Sequence, residues 1–91
     1  GVVVVVCQYD RETGKLISEP DIISRGFIFG DQSQDIIDGA KEIVKSIFND
    51  SKEGRSLDFR YVRQEIEDHL EKFFYEETKR RPLILTTLVE V

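Results

Sequence analysis

The fold of this chain is decided at residues 2–9, where the sequence reads VVVVVCQY. β-Branched and aromatic side chains fill this run, and they favour an extended strand over a helix. A second run of the same kind, LILTTLVEV, occupies residues 83–91. A sheet that is covered on one face alternates apolar with polar residues, yet each of these runs places apolar residues at both parities. We therefore predict two strands with apolar side chains on both faces of their sheet.

A hairpin and a further strand follow the first run. In DRETGK, residues 10–15, Asp10 can accept hydrogen bonds from its own turn, and Gly14 can take the positive φ that closes a short loop. Apolar residues resume at 15–17 and again in IISRGFIF, residues 22–29. We interpret these as one long second strand, broken near Pro20 and antiparallel to the first, because proline suits an edge strand or a bulge.

Two helices come next, because the apolar residues change to helical spacing. In the first segment they recur from Ile36 to Phe48, after an N-cap at Ser33, and turn-forming residues at 49–56 end the helix. The second segment predicts a helix from residue 59 to about residue 79. Asp58 would cap its start, and Pro82 would end it.

The predicted elements follow the order β-β-α-α-β. Two amphipathic helices need a common apolar surface, and a three-stranded sheet supplies one. The helix pair returns the chain to its starting end, so the third strand should run parallel to the first and antiparallel to the second. We predict a two-layer α+β domain, with a three-stranded mixed sheet and both helices on one face. Residues 1–91 would form this single domain, and we expect it to be a module of a longer protein.

Composition is that of an ordinary globular chain. Hydrophobic residues make up 40% and charged residues 34% of the 91 residues. The one cysteine fits a reducing compartment, and neither a membrane span nor a signal peptide is evident, so we expect a cytoplasmic protein without membrane partners. The net charge of −5 argues against tight nucleic-acid binding by this chain alone.

The sequence offers little catalytic chemistry. His69 and Cys7 are the single residues of their kinds, so no cluster has metal-ligand spacing. His69 could act as a general base beside Glu65 or Glu76, but a solvated histidine on a helix flank is the favoured interpretation. We assign no catalytic residue, no metal ligand and no cofactor to these residues.

Two groups of cations are candidates for binding. Lys79, Arg80 and Arg81 would occupy the last turn of the second helix, where cations offset the negative end of the helix dipole. Alternatively, they form a small patch that contacts RNA phosphates, for which the forked guanidinium is suited. Arg25 lies within the second strand, where an ion pair or a stack on Phe27 competes with a role in an interface.

An interaction surface is predicted from the valines. Two helices can cover only one face of a three-stranded sheet, so the other face would expose a contiguous apolar patch, which monomers seldom tolerate. Val3, Val4 and Val5, together with Arg25, are the candidate interface residues, and the sequence leaves open which of them face outward. The face would be buried against another chain or another domain. The alternative is that residues 15–22 fold back over it.

Two segments resemble a known family. PDIISRGFIF, at residues 20–29, and YEETKRRPLILTTLVEV, at residues 75–91, are similar to the C-terminal domain of bacterial ribonuclease J. The resemblance covers nearly the whole chain in the right order, and ISRGF and TKRRP are its most specific parts. Thr86 departs from the family, which commonly has proline at that position.

The resemblance implies a parent enzyme with a metallo-β-lactamase core and a β-CASP insertion. Such an enzyme cleaves RNA as a 5′-to-3′ exonuclease and as an endonuclease, with zinc or another divalent metal ion. Its catalytic residues would lie outside these 91 residues. The resemblance also implies an assembly and stabilising role for this domain. Its partners would be the rest of the parent ribonuclease and further copies in a dimer or tetramer, with RNA as the substrate of the parent.

Other functions remain as alternatives. A small autonomous RNA-binding domain would be built on Lys79, Arg80 and Arg81, and a protein-interaction domain on the sheet. The acidic charge, the lack of a G-x-x-G clamp and the lack of aromatic residues interleaved with basic ones weigh against RNA binding. A regulatory domain for a small ligand has no feature in its favour.

Overall fold

The computed structural model describes residues 1–26, 33–51 and 59–91, and it contains three strands and two helices in these ranges. The strands are β1 (Val2–Tyr9), β2 (Asp21–Arg25) and β3 (Leu83–Glu90). The helices are α1 (Ser33–Ser51) and α2 (Phe59–Thr78). The chain order is β1-β2-α1-α2-β3, so the predicted β-β-α-α-β arrangement and its α+β class are confirmed.

The three strands form one mixed sheet with β1 in the centre, in the order β2-β1-β3. β2 runs antiparallel to β1, with Val4 opposite Ile23. β3 runs parallel to β1, with Val4 opposite Leu85. These directions are the ones predicted from the helix pair that connects the second and third strands. The central position of β1 agrees with its apolar composition. Side chains of a central strand are flanked on both sides by side chains of the neighbouring strands, so they are shielded from water on both faces of the sheet.

Both helices pack on the same face of the sheet. Each helix presents one apolar stripe, and the stripes meet the side chains of β1 that have odd numbers. The ring of Tyr9, at the end of β1, lies 4.5 Å from the ring of Phe59, at the start of α2. The buried core consists of Val3, Val5, Cys7, Tyr9, Ile36, Ala40, Val44, Ile47, Phe48, Val62, Ile66, Leu70 and Phe74.

The turn after β1 has the predicted chemistry. The Asp10 carboxylate accepts hydrogen bonds from the backbone N–H groups of Glu12, at 2.8 Å, and Thr13, at 3.0 Å. These bonds hold the pKa of the Asp10 carboxyl below its usual range. Gly14 has a φ of 72°, which a residue with a Cβ atom rarely adopts. The turn is therefore fixed by the residue types that the sequence analysis singled out.

The second strand is shorter than predicted. Residues 15–17 contribute only a single bridge, between Leu16 and Tyr9, and β2 begins at Asp21, after the buried Pro20. β2 ends at Arg25, and the following Gly26 has a φ of 65°. The proline therefore separates a bridge from a strand instead of interrupting a continuous one. Residues 27–29 of the predicted strand lie outside the described residues, as do Gly54 and the predicted cap Asp58.

Helix α2 ends before the basic residues. The sequence placed Lys79, Arg80 and Arg81 in its last turn, but the helix stops at Thr78 and its last turn holds no basic residue. Lys79 adopts a φ of 60°, and its N–H donates to the Tyr75 carbonyl at 2.8 Å. The Thr78 hydroxyl donates to the Phe74 carbonyl at 2.7 Å and accepts from the Arg80 N–H at 3.1 Å. A left-handed C-terminal cap thus ends the helix, and the prediction of the last turn was wrong.

Candidate protein-interaction surface

The side chains of β1 alternate between two different environments. Val3 and Val5 have no exposed surface, because they point at the helices. Val4 points to the opposite face of the sheet and remains partly exposed. Of the three valines proposed for an interface, Val3 and Val5 therefore have no surface to contribute, since each is enclosed within the domain. Only Val4 lies where a partner could reach it.

The face opposite the helices is apolar, and we call it the open face. The alternation of each strand and the pairing between strands bring its members together. Leu83, Leu85 and Ile23 expose 59%, 48% and 45% of their surface. The sequence analysis did not name Val2, Val6 and Ile23 as interface residues. The polar Gln8 was the available signal, because it is even-numbered like Val2 and Val6 and indicates that the even-numbered residues of β1 face outward. The apolar residues of the open face are Val2, Val4, Val6, Ile17, Ile23, Leu83, Leu85 and Val89.

Segment 15–20 does not cover the open face. Leu16 packs against the core, and the Glu19 carboxylate pairs with the ammonium group of Lys45 on α1. Glu42 accepts a second hydrogen bond from Lys45 at 3.1 Å, and the two carboxylates raise the pKa of the Lys45 ammonium group. Residues 18–20 are therefore held toward α1, on the helical side of the sheet, whereas Ile17 lies at the rim of the open face beside Gln8. The alternative that residues 15–22 fold back over the apolar face is wrong.

Two charged residues border the open face on β2. Arg25 lies opposite Val2, and Asp21 lies opposite Val6, so both have the same orientation as Ile23 between them. Both side chains are exposed, and neither forms an ion pair with the residues that the structure describes. Arg25 and Ile23 therefore lie on the same face of the sheet. Phe27, the proposed stacking partner of Arg25, lies outside the described residues.

The three cations at 79–81 form an exposed basic turn between α2 and β3. The Lys79 ammonium lies 5.6 Å and the Arg81 guanidinium 4.8 Å from the centre of the Tyr75 ring, so the aromatic face holds both by cation–π attraction. Arg80 is exposed as well. Asp68 and Glu71 line the same shallow depression as Lys72 and Arg81, and these two carboxylates reduce the positive potential there.

His69 and Cys7, the two residues considered for catalysis, lie in different environments, one exposed and one buried. His69 is exposed on α2, with its Nε2 3.7 Å from a Glu65 carboxylate oxygen. Cys7 is enclosed in the core, and burial followed by the charge of Asp21 raises the pKa of its thiol to about 12. Within ranges 1–26, 33–51 and 59–91, no three His, Cys, Asp or Glu side chains are grouped as a metal site. No helix in those ranges is long and apolar enough to cross a bilayer.

Two buried hydroxyls were not anticipated from the sequence. The Oγ atom of Ser24 and the Oγ1 atom of Thr86 are enclosed and have no hydrogen-bond partner among the residues that the structure describes. Both residues lie on the helical side of the sheet, Ser24 opposite Val3 and Thr86 opposite Val5. The signal that could have placed them there is the strand pairing, because each lies opposite a residue of β1 that faces the helices. A buried hydroxyl without a partner costs stability, so we expect each of these positions to favour an apolar side chain of the same size.

Together these features define a class: a small two-layer α+β domain with an apolar sheet face that the described part of the chain leaves exposed. Comparison with known proteins then gives the family. The sequence matches the family described as Ribonuclease J C-terminal domain over residues 1–91, so the chain belongs to that family.

Individual relatives agree with this assignment. The chain is 36% identical over 91 residues to Ribonuclease J2 of Bacillus subtilis. It is 29% identical to Ribonuclease J 2 of Staphylococcus aureus and 28% identical to Ribonuclease J 2 of Staphylococcus epidermidis. Each match covers 100% of this chain but only 16% of the relative, so the chain spans about a sixth of the length of these curated proteins.

Proposed function

We propose that this chain is the non-catalytic assembly and stabilising domain of a longer ribonuclease, and that the open face is its contact surface. The family assignment and the 16% coverage of the relatives support its place within a longer enzyme. The enzyme would degrade and process RNA, as the names of the relatives indicate for those proteins. The single observation that carries the assembly role is the uncovered apolar face around Val4.

The size of the open face supports such a role. Four side-chain levels along the strands and three strands across give roughly 25 Å by 15 Å, or about 400 Å². Patches of a few hundred Å² on a domain usually mark an interaction site. Docking against an equal surface would bury about 800 Å² in total, which is less than the roughly 1,200–2,000 Å² of a stable interface. The contact would therefore be weak by itself and would be reinforced by the rest of the longer protein.

Replacement of Leu85 by aspartate in the longer enzyme tests the assembly role. Leu85 lies at the centre of β3 and is 48% exposed, so the domain should remain folded. A carboxylate in an apolar contact must be desolvated without a partner, so the assembly should weaken strongly. We expect a lower molar mass by light scattering at the same protein concentration, or release of the domain onto a flexible tether by limited proteolysis.

The matched control is Arg63→Asp, on the exposed side of α2 and away from the sheet. It should leave the molar mass and the proteolysis pattern unchanged, while circular dichroism confirms that both variants are folded. An assembly that keeps its mass and its protease resistance with Leu85→Asp would refute the open face as the contact surface.

The non-catalytic part of the proposal has its own test. RNA hydrolysis in the longer enzyme would depend on zinc or another divalent ion held by residues outside this chain. The 91-residue chain should therefore leave RNA intact when zinc, manganese or magnesium is added. Metal-dependent cleavage that disappears in a His69→Ala variant would contradict this part, because His69 is the only histidine here.

The basic turn supports a second, auxiliary candidate function, which is contact with RNA phosphates. Lys79, Arg80 and Arg81 are exposed and form no ion pair with described residues. Three contacts predict weak binding with a steep dependence on salt, since log Kobs falls by about 0.7 to 0.9 per contact and log unit of salt. Charge reversal at the three positions should abolish the salt-dependent binding in a fluorescence titration. Tight binding at physiological salt, or binding indifferent to the reversal, would contradict it.

A further inference from the structure

An exposed aromatic ring lies within the basic turn. Tyr75, in the last turn of α2, is 41% exposed, and in the described part of the chain it belongs neither to the core nor to the residues packed against it. The left-handed conformation of Lys79 ends the helix, and the guanidinium of Arg81 then lies 4.8 Å from the centre of the Tyr75 ring. The turn therefore displays a planar aromatic group and a planar cation next to each other at the surface.

This pair has the properties of a platform for a nucleobase. Bases of single-stranded RNA stack on aromatic side chains and on the planes of arginine guanidinium groups. The cation–π contact between Tyr75 and Arg81 already holds the guanidinium at the ring, so little side-chain freedom is lost when a base adds to the stack. Lys79 and Arg80, both exposed beside the pair, supply positive charge for the phosphates of the same strand.

A depression beside the pair offers room for the base. It has a volume of about 320 Å³, which is at the lower end of the range for ligand sites, and it is lined by Asp68, Glu71, Lys72, Tyr75 and Arg81. The two carboxylates repel phosphate groups, but they can accept hydrogen bonds from the amino and imino groups of a base edge. The charges therefore favour a base in the depression and the phosphates outside it, along the cations of the turn.

We propose that Tyr75, Arg81 and the depression beside them form a nucleobase-binding site, so that the basic turn binds single-stranded RNA in preference to double-stranded RNA. This inference rests on the auxiliary RNA contact of the proposed function, whose substrate class it names. The phosphates are accessible in both forms of RNA. In a duplex, however, the bases are paired and stacked on one another, and their faces cannot reach a protein ring. The preference therefore measures what the base contact adds.

Titrations of the 91-residue chain by fluorescence anisotropy test this site. The probes are a labelled single-stranded RNA of about 15 nucleotides and the same strand annealed to its complement, both at low salt. We expect the single strand to bind about tenfold more tightly than the duplex. Tyr75→Leu should lower the affinity for the single strand about tenfold and leave the affinity for the duplex unchanged. Tyr75→Phe should retain the preference, because it keeps the ring.

The salt dependence separates the base contact from the phosphate contacts. Tyr75→Leu removes no phosphate contact, so the slope of log Kobs against log salt should stay the same. Arg80→Gln should reduce the slope for the single strand by about 0.7, because one contact is lost. The matched control is Arg63→Gln, which removes the same charge from the exposed side of α2, roughly 18 Å along the helix from Tyr75. It should change neither the affinity nor the slope.

Two further measurements complete the test. Polyglutamate is an anionic polymer without bases, so it should displace the single strand poorly. Circular dichroism should show that the Tyr75 variants are folded, because the ring lies outside the core. A preference for the single strand that is lost with Tyr75→Leu, kept with Tyr75→Phe and accompanied by an unchanged salt slope supports the proposal.

The other outcomes overturn it in distinguishable ways. Equal binding of single strand and duplex, or an affinity that ignores Tyr75→Leu, overturns the nucleobase site and leaves the phosphate contact intact. Polyglutamate that competes as well as RNA indicates a site for acidic protein segments, which overturns RNA as the ligand. A chain that binds neither form of RNA at low salt overturns both this inference and the auxiliary RNA contact, whereas the assembly role of the open face is unaffected.

Discussion

Aspartate substitutions at Val3 and Val4 should have opposite consequences, although the two residues are neighbours in β1. Val3 has no exposed surface and lies among the helices, whereas Val4 lies on the open face between Ile23 and Leu85. We expect Val3→Asp to remove much of the domain's free energy of unfolding at pH 7. We expect Val4→Asp to leave it folded and to affect only its association.

The magnitude at Val3 follows from burial and ionisation. Removing a fully buried valine side chain costs about 1.5–3 kcal/mol. A buried carboxyl stays protonated, and keeping it so at pH 7 against an ordinary pKa of about 3.9 costs a further 4 kcal/mol, at about 1.36 kcal/mol per unit. The sum of about 6–7 kcal/mol compares with a total stability of roughly 5–14 kcal/mol for 91 residues. At Val4 the carboxylate of the introduced aspartate stays hydrated. The expected loss in the free energy of unfolding is therefore about 1 kcal/mol, which reflects the lower strand propensity of aspartate.

Urea unfolding at several pH values measures both effects. The buried carboxyl of Val3→Asp has a raised pKa in the folded state. The variant is therefore most stable below the ordinary pKa of an aspartate, and its free energy of unfolding falls as the pH rises above that value. Lowering the pH from 7 to about 4 should therefore recover about 4 kcal/mol for Val3→Asp relative to the unsubstituted chain, and almost nothing for Val4→Asp. Equal losses for the two variants, with the same pH dependence, would refute the assignment of an open face.

Three further outcomes are expected. Thr86→Val should raise the free energy of unfolding by about 1 kcal/mol in urea titrations, because its buried hydroxyl has no partner among the described residues; a loss of stability would reveal a partner. Gly39→Ala should fail to give the usual helix gain of about 1 kcal/mol, because its Cβ would lie 2.8 Å from the Phe73 ring, and it should recover that gain in a Phe73→Ala background. As the pH rises above about 9, the unfolded Cys7 thiol ionises while burial holds the folded pKa at about 12, so stability should fall more steeply than in Cys7→Ala; parallel pH profiles would contradict an enclosed thiol.

The sequence was sufficient for the architecture because the deciding signals are local. The valine run and the final strand are β-branched, the two central segments have helical period, and the short connections restrict the strand directions. The sequence also contains enough information to predict which side chains of β1 face away from the helices. Gln8 is the one polar residue of that strand, and it shares its parity with Val4.

The features that the sequence could not supply depend on backbone conformation and on contacts between distant residues. The end of α2 depends on a left-handed Lys79, a conformation for which glycine or asparagine is the usual residue. The position of residues 18–20 on the helical side of the sheet involves the pairing of Glu19 with Lys45 on α1, two residues 26 positions apart in the chain. The symmetric placement of Arg25 and Asp21 appears only once the register with β1 is known.

The parallel pairing of β1 with β3 also gives this domain a mechanical property. Gly1 lies beside Leu83 at one end of the pair, where its carbonyl accepts a hydrogen bond at 3.0 Å, and Val91 donates to the Tyr9 carbonyl at 3.0 Å at the other end. Tension applied through residues 1 and 91 would pull along the two strands in opposite directions and load the whole ladder in shear. Tension through residues 1 and 83 would open the same ladder one bond at a time. Single-molecule stretching should therefore require a higher force for the first pair of attachment points than for the second.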